Sequence, residues 1–162
     1  MFSRTLVRSF DSPVDAGTTW SYVSDPAAVA AASTHTKTVA PVPPVTVGTT
    51  WDEYHLEDDC DFDSMRWRCT ALTPGRSLTV EGLQAGARQR VTTTLLDQDG
   101  DGGGVQVLTR MEVRPSLRAR GSASERLLLP VLLLTPFGVR MLGEALDEAV
   151  EDDRRALEAL AH

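Results

Sequence analysis

The sequence predicts an α+β fold in which an antiparallel sheet is covered on its dry side by a long C-terminal helix. Three observations carry that expectation. The segment Val105 to Arg114 alternates strictly, with Val105, Val107, Thr109, Met111 and Val113 on one face and Gln106, Arg110, Glu112 and Arg114 dominating the other. This is the pattern of a strand that is wet on one side only. Four further strand signals precede it, Thr49 to Leu56, Ser64 to Leu72, Ser77 to Gln84 and Gln89 to Leu96, with turn residues such as Thr73-Pro74-Gly75-Arg76 and Ala85-Gly86 between them. Finally, from Thr135-Pro136 onward, a rotation of about 100° per residue gathers Val139, Leu142, Ala145, Leu146, Ala149, Val150, Ala156, Leu157 and Leu160 into one apolar stripe. One-sided strands joined by short turns form an antiparallel sheet, and its dry face needs that stripe.

Taken in order, Phe2 to Phe10 alternates loosely and reads as a first strand ended by Asp11-Ser12-Pro13. Two short helices follow. Trp20 and Val23 share a face of the first, and Ser24-Asp25-Pro26 closes it and starts the second, Ala27 to Ala32. Thr34 to Val47, with Pro41, Pro43 and Pro44, is restricted to extended edge or loop structure, and Gly48 opens the next strand. In the terminal helix Thr135 is the expected cap, and Pro136 occupies the first helical position, where no amide hydrogen is needed. The unit ends near Ala161; roughly 25 residues at about 1.5 Å each give a rod of about 37 Å.

The outer face of that helix is acidic, with Glu144, Asp147, Glu148, Glu151 and Asp152. Arg155 is placed to pair with Glu151, while Glu144/Glu148 and Glu148/Asp152 oppose the helix, so packing must supply most of its stability. Asp153 falls inside the apolar stripe. Either its carboxylate reaches solvent where the stripe widens, or it is buried and requires an arginine from the sheet. Upstream, Ser122 and Glu125 have capping-box spacing and lead into Leu127 to Leu134, which is apolar on every side and contains Pro130. It is far short of the ~20 residues of a membrane span. A kinked helix under the sheet edge is the expectation, with a gate over a cavity or a homodimer contact as alternatives.

A chain of 162 residues suits a single domain, 1–162. The net charge of −7, with no basic cluster along the sequence, argues against nucleic acid and anionic membranes as partners. Lys37 is the sole lysine, an arginine skew that fits a GC-rich genome better than a binding signature. Cys60, set in the acidic turn Glu57-Asp58-Asp59 to Asp61, and Cys69 on the following strand do not face each other, so reduced thiols and a cytoplasmic location are expected. Arg4 and Arg8 interrupt the apolar residues of the N-terminus, which therefore does not read as a signal peptide.

Ser12-Pro13 leading to Trp20-Ser-Tyr-Val-Ser-Asp25-Pro26, then Gly48-Thr-Thr-Trp51, Thr70-Ala-Leu-Thr-Pro-Gly-Arg-Ser-Leu78 and the Asp/Gly turn before Val105 resemble the START/Bet v 1-like (SRPBCC) superfamily, specifically bacterial polyketide cyclase/dehydrase-like proteins. The resemblance spans nearly the whole chain. The interval from Pro13 to Trp20 is longer than usual in the family, which shifts the expected start of the first helix. The resemblance implies a helix-grip fold, a curved antiparallel sheet wrapped around the terminal helix, with an apolar cavity between them that binds lipids, polyketides or other hydrophobic molecules. Only some members are enzymes.

Alternation within the strands indicates what would line such a cavity. Met65, Trp67, Cys69 and Ala71 oppose Arg66, Arg68 and Thr70, so Trp67 points inward. In the preceding strand Trp51, Glu53 and His55 share one face, and Asp52, Tyr54 and Leu56 the other. If Trp51 points in, Glu53 and His55 do too, placing a carboxylate and an imidazole in an apolar setting suited to proton transfer. The expected ligand contacts are Trp51, His55, Met65, Trp67, Val80, Met111, Leu142 and Leu146, with His55 and Glu53 as candidate catalytic residues.

Other motifs lead nowhere. Asp97-Gln-Asp99-Gly-Asp101-Gly102 copies the first half of an EF-hand loop, but Leu108 stands where the bidentate carboxylate should be and strands flank it, so a hairpin turn is expected. His55-Leu-Glu57 has the H-x-E form of zinc deaminases without a following C-x-x-C. His35, His55 and His162 have no metal-ligand spacing, and there is no G-x-S-x-G elbow or phosphate-binding loop. No metal or cofactor is expected. The functional expectation is the binding of a small hydrophobic molecule, with a cyclase or dehydratase using His55 and Glu53, or an interaction module acting through Leu127 to Leu134, as alternatives.

Overall fold

The structure, a computed structural model, describes residues 3–34, 36–38, 42, 44–55, 64–84, 87–98, 104–116 and 135–162, apart from the side chains of Lys37, Thr38, His55, Ser64 and Gln84. The elements run β1 (Arg4–Ser12), α1 (Ala16–Val23), α2 (Pro26–Ala32), β2 (Thr36–Thr38), β3 (Thr50–His55), β4 (Ser64–Thr73), β5 (Ser77–Gln84), β6 (Ala87–Asp97), β7 (Val105–Pro115) and α3 (Pro136–Leu160). One antiparallel sheet has the order β1-β7-β6-β5-β4-β3-β2. Consecutive strands pair along β2 to β7, and β1 closes on the far side of β7. Leu127 to Leu134, Cys60 with its acidic run, His35 and the Ser122/Glu125 pair lie outside the described residues.

Local chemistry sets the element ends. Asp15 caps α1 by accepting from the Thr18 amide at 3.0 Å, and Asp25 caps α2 by accepting from the Ala27 amide at 2.9 Å. Thr135 caps α3 through the Gly138 amide at 3.1 Å, with Pro136 just inside, as the sequence predicts. Gly75 has φ +73°, which the Pro-Gly turn between β4 and β5 requires, and the Arg76 amide closes that turn onto the Thr73 carbonyl at 3.0 Å. Asp97 pairs with Val105, so the EF-hand-like segment joins a hairpin.

The predicted dry face of β7 is buried at every position, Val105, Val107, Thr109, Met111 and Val113. On β4 the alternation holds for Met65, Trp67 and Cys69, then fails. A bulge between Cys69 and Ala71 inserts a residue, so Ala71 is exposed and Leu72 takes the inward side, contrary to the sequence expectation for Ala71. The outer face holds six arginines, Arg66, Arg68, Arg88, Arg90, Arg110 and Arg114, scattered in sequence; Arg88 lies directly opposite Arg114, and Glu81 stands in register between Arg68 and Arg90. Less exposed carboxylates run between them: Asp52 binds Arg66 at 2.7 Å, Glu81 binds Arg90 at 2.5 Å and Glu112 binds Arg114 at 2.6 Å. No basic cluster exists along the sequence; the fold makes one.

The α3 stripe is narrower than the helical wheel suggests. Gly143, Leu146 and Leu157 are buried, Val150 and Asp153 partly so, while Ala145, Ala149 and Leu160 are exposed. The inward seam thus runs 143, 146, 150, 153, 157, alternating steps of three and four. Glu151 takes Arg155 at 3.2 Å and Arg154 at 2.6 Å, and Asp147 reaches across to Arg8 of β1. Asp153 is on the seam, and its partner is the Tyr22 hydroxyl, which donates at 2.8 Å, rather than an arginine from the sheet. Burial pushes the Asp153 carboxyl up to about 6, against the lowering effect of the Tyr22 bond and with help from Asp152. Burial first, and then the same pairing, push the Tyr22 phenol upward.

A carboxyl that titrates near 6 when folded and near 3.8 otherwise favours the folded state while protonated, and that contribution is lost as pH rises through about 6. A difference of about two units corresponds to on the order of 3 kcal/mol. Asp153→Asn keeps an acceptor for Tyr22 without the charge. Urea unfolding is expected to find the variant more stable than the parent by about 1–3 kcal/mol at pH 8, with the advantage vanishing near pH 4; an equal difference at both pH values would contradict the assignment.

Candidate functional site

The strand register brings the predicted aromatic residues together. Trp51 lies directly opposite Trp67, and Glu53 opposite Met65. Trp51, Met65, Trp67 and Cys69 are buried and, with Leu78, form one cluster, against which Trp20, Val42, Val45, Leu72, Val80 and Val91 pack. Gly82 sits beside Trp67 on β5. A Cβ at that position would meet Met65 Sδ at 2.7 Å and Trp67 Cε3 at 2.8 Å, so only glycine leaves room for both large side chains.

Glu53 ties this cluster together. Trp51 Nε1 donates to Glu53 Oε1 at 2.9 Å, and Trp67 Nε1 donates to Glu53 Oε2 at 2.7 Å. A buried indole N–H requires an acceptor, and charge-assisted bonds are the stronger kind. One carboxylate with a separate oxygen for each ring therefore fixes the orientation of both. Cys69, one inward position further along β4, is a free and buried thiol whose pKa is raised by burial.

A second cluster lies under α3. Leu146 is buried with Ala87, Met111 and Val113, and Leu6, Val91, Leu142 and Val150 pack against them. Val91 belongs to the surroundings of both clusters. The expected contacts thus form two groups on one inner face, Trp51, Met65, Trp67 and Val80 in the first and Met111, Leu142 and Leu146 in the second, joined at Val91. Alternation along β6 gives its inward side, and the strand register places it between Val80 and Met111. Among the described residues, α3 adds no side chain to the tryptophan cluster. His55 ends β3 with its backbone paired to Thr36; its side chain lies outside the described residues. Among the described residues, no group of His, Cys, Asp and Glu is arranged to hold a metal ion, and no helix is long and apolar enough to cross a membrane.

No protein-family model matches the chain, and no curated protein matches it in sequence. Solved structures do match it. The Zhui aromatase/cyclase from Streptomyces sp. R1128 superposes with a TM-score of 0.67 at 15% identity, covering 99% of this chain and 94% of its own. Protein CV1439 from Chromobacterium violaceum gives 0.67 at 14% identity, covering 95% and 97%, and Ara h 8.0201 gives 0.65 at 10% identity, covering 98% and 99%. This is the helix-grip fold of START/Bet v 1-like proteins. The architecture implied by the sequence resemblance therefore holds, with seven strands among the described residues, two short helices after the first, and a 25-residue terminal helix.

Replacing Glu53 by Ala leaves two inward indole N–H groups without their acceptor. Loss of about 2–4 kcal/mol of stability is expected, together with collapse of the near-ultraviolet circular dichroism of the tryptophans. A near-ultraviolet spectrum unchanged by the substitution would show that the carboxylate does not hold the rings.

Proposed function

We propose that this chain binds a small hydrophobic molecule against the inner face of the sheet, between the Trp51–Trp67 cluster and α3. The observation that carries the reading is the continuity of that face: large apolar side chains from β3, β4, β5, β6 and β7 run up to Leu142 and Leu146, with an oriented carboxylate at the tryptophan end. Such a composition, mostly apolar with few fixed polar groups, suits small-molecule recognition. The fold is shared with a protein described as an aromatase/cyclase, which supports a ligand of aromatic or polyketide type or a lipid. On this reading Trp51, His55, Met65, Trp67, Val80, Met111, Leu142 and Leu146 are the contact residues, and the chain acts as a single cytoplasmic domain.

A cyclase or dehydratase activity with His55 and Glu53 as acid and base is the second reading, favoured by the inward position of Glu53. His55→Ala would then abolish turnover and leave binding intact. Homodimerisation through Leu127 to Leu134 is a separate proposal.

The binding reading is tested by native mass spectrometry of freshly purified protein, with extraction and identification of any bound compound, followed by titration with an apolar fluorescent probe. The expected result is saturable one-to-one binding that Leu146→Trp, a larger ring at a buried position among Ala87, Met111 and Val113, weakens about tenfold or more; the added volume also lowers the thermal midpoint, so the variant is assayed at a temperature where melting shows it folded. Probe binding that is absent, or unaffected by the substitution, would count against the site.

A further inference from the structure

Two exposed surfaces outside the inner face match each other. The first crosses the outer face of the sheet. Register sets Arg66 opposite Leu83, Leu83 opposite Arg88 and Arg88 opposite Arg114, so these side chains form one row over β4, β5, β6 and β7. At about 4.8 Å per strand the row is about 14 Å long. Leu83 stands among the arginines 45% exposed. Carboxylates steady the guanidiniums: Asp52 takes the edge of Arg66 with two bonds of 2.7 Å, Glu81 lies 3.3 Å from Arg88, and Glu112 lies 2.6 Å from Arg114. A guanidinium has several N–H donors and a flat face that stacks on aromatic rings, so one such pair does not exhaust it. The second surface runs along α3, on the side turned away from the sheet. Phe137 and Met141 are 63% and 52% exposed, and the exposed Glu144 and Glu148 continue the same line at helical spacing. From Phe137 to Glu148 the helix rises about 16 Å.

We infer that the row on the sheet receives α3 of a second copy of this chain, laid across the strands in a head-to-tail contact. Length, polarity and charge agree along the two lines. Phe137 meets the flat face of Arg66, Met141 meets Leu83, Glu144 meets Arg88 and Glu148 meets Arg114. The reverse orientation sets Met141 on Arg88 and Glu144 on Leu83, so only one direction matches. Glu144 pairs with Arg140 at 2.7 Å in the single chain, an exposed pair of the kind that is worth little and exchanges readily for another cation. One chain cannot satisfy itself, because the row and the helix line point away from opposite sides of the molecule. Each copy therefore offers one of each, and the contact is heterologous, building a ring or an open chain rather than a two-fold pair. The inner face takes no part, so this inference stands or falls independently of the ligand reading.

The test is sedimentation of the full chain over a range of concentrations, with two charge-reversed variants checked for folding by thermal melting. The mass of the parent is expected to rise past that of a dimer. Arg88→Glu with Arg114→Glu reverses the row, and Glu144→Arg with Glu148→Arg reverses the helix line; each variant alone should associate at least about tenfold more weakly. An equimolar mixture of the two should associate as the parent does, because every contact between unlike copies again joins opposite charges. A parent that stays monomeric or stops at a dimer would overturn the inference, as would variants that associate like the parent or a mixture that does not recover. Met141→Ser, a mild change at an exposed position, replaces a double variant that does not fold. It is expected to weaken association about fivefold or more, and association indifferent to it would also overturn the inference.

Discussion

A sheet with one dry face must have that face covered, and α3 covers only part of this one. Its seam of Gly143, Leu146, Val150, Asp153 and Leu157 packs towards β1, β6 and β7 at one end and against Tyr22 and Val23 of α1 at the other. The half of the sheet formed by β3, β4 and β5 is filled by its own largest side chains. Trp51, Met65 and Trp67 occupy that half, Gly82 makes room for them, and Glu53 satisfies the two indole nitrogens that this arrangement turns inward. Burial of so much aromatic surface contributes to the core, and the same surface is the wall of the proposed site. Core and site are one set of residues.

Charge is sorted by the same geometry. Alternation sends six arginines to the outer face of the sheet, where Asp52, Glu81 and Glu112 lie among them, and leaves Arg4 and Arg8 on the inner side of β1. Exposed pairs of this kind contribute little each to stability, so their role is to keep the outer face wet and the register unambiguous. Within the core region two carboxylates remain. Glu53 accepts from two indoles, and Asp153 accepts from a phenol that donates a hydrogen bond without bringing a compensating charge. Burial pushes the Asp153 carboxyl upward, and the Tyr22 bond offsets only part of that effect.

Much of this was legible in the sequence, because period-two and period-3.6 patterns are direct projections of burial. The strict alternation of Val105 to Val113, the Thr135-Pro136 start and the Pro-Gly turn at Gly75 all correspond to observed structure. The inward direction of Met65 and Trp67 was legible as well, whereas that of Trp51 stays open in an alternation where neither side of the strand is purely apolar. What was not legible depends on cross-strand register or on backbone irregularity. The bulge after Cys69 has no marker in composition, so Ala71 was placed on the wrong side. The contact between Asp153 and Tyr22 joins residues 131 apart in sequence, and the arginine face unites residues from three different strands. The Trp–Glu–Trp arrangement was half visible: residues 51 and 53 share a side by alternation, but only the register opposite residue 67 completes it.

The central claim, that one inward carboxylate holds two indoles at the wall of a ligand site, is tested most directly by nuclear magnetic resonance of the indole N–H groups. The chain has three tryptophans, so three such signals are expected. Trp51 and Trp67 donate to Glu53, and Trp20 makes no indole hydrogen bond among the described residues. Two of the three signals should therefore resist exchange with deuterated solvent, and both should shift together when the apolar probe is added. Three signals that exchange at the rate of an exposed indole, or two protected signals indifferent to the probe, would contradict the account.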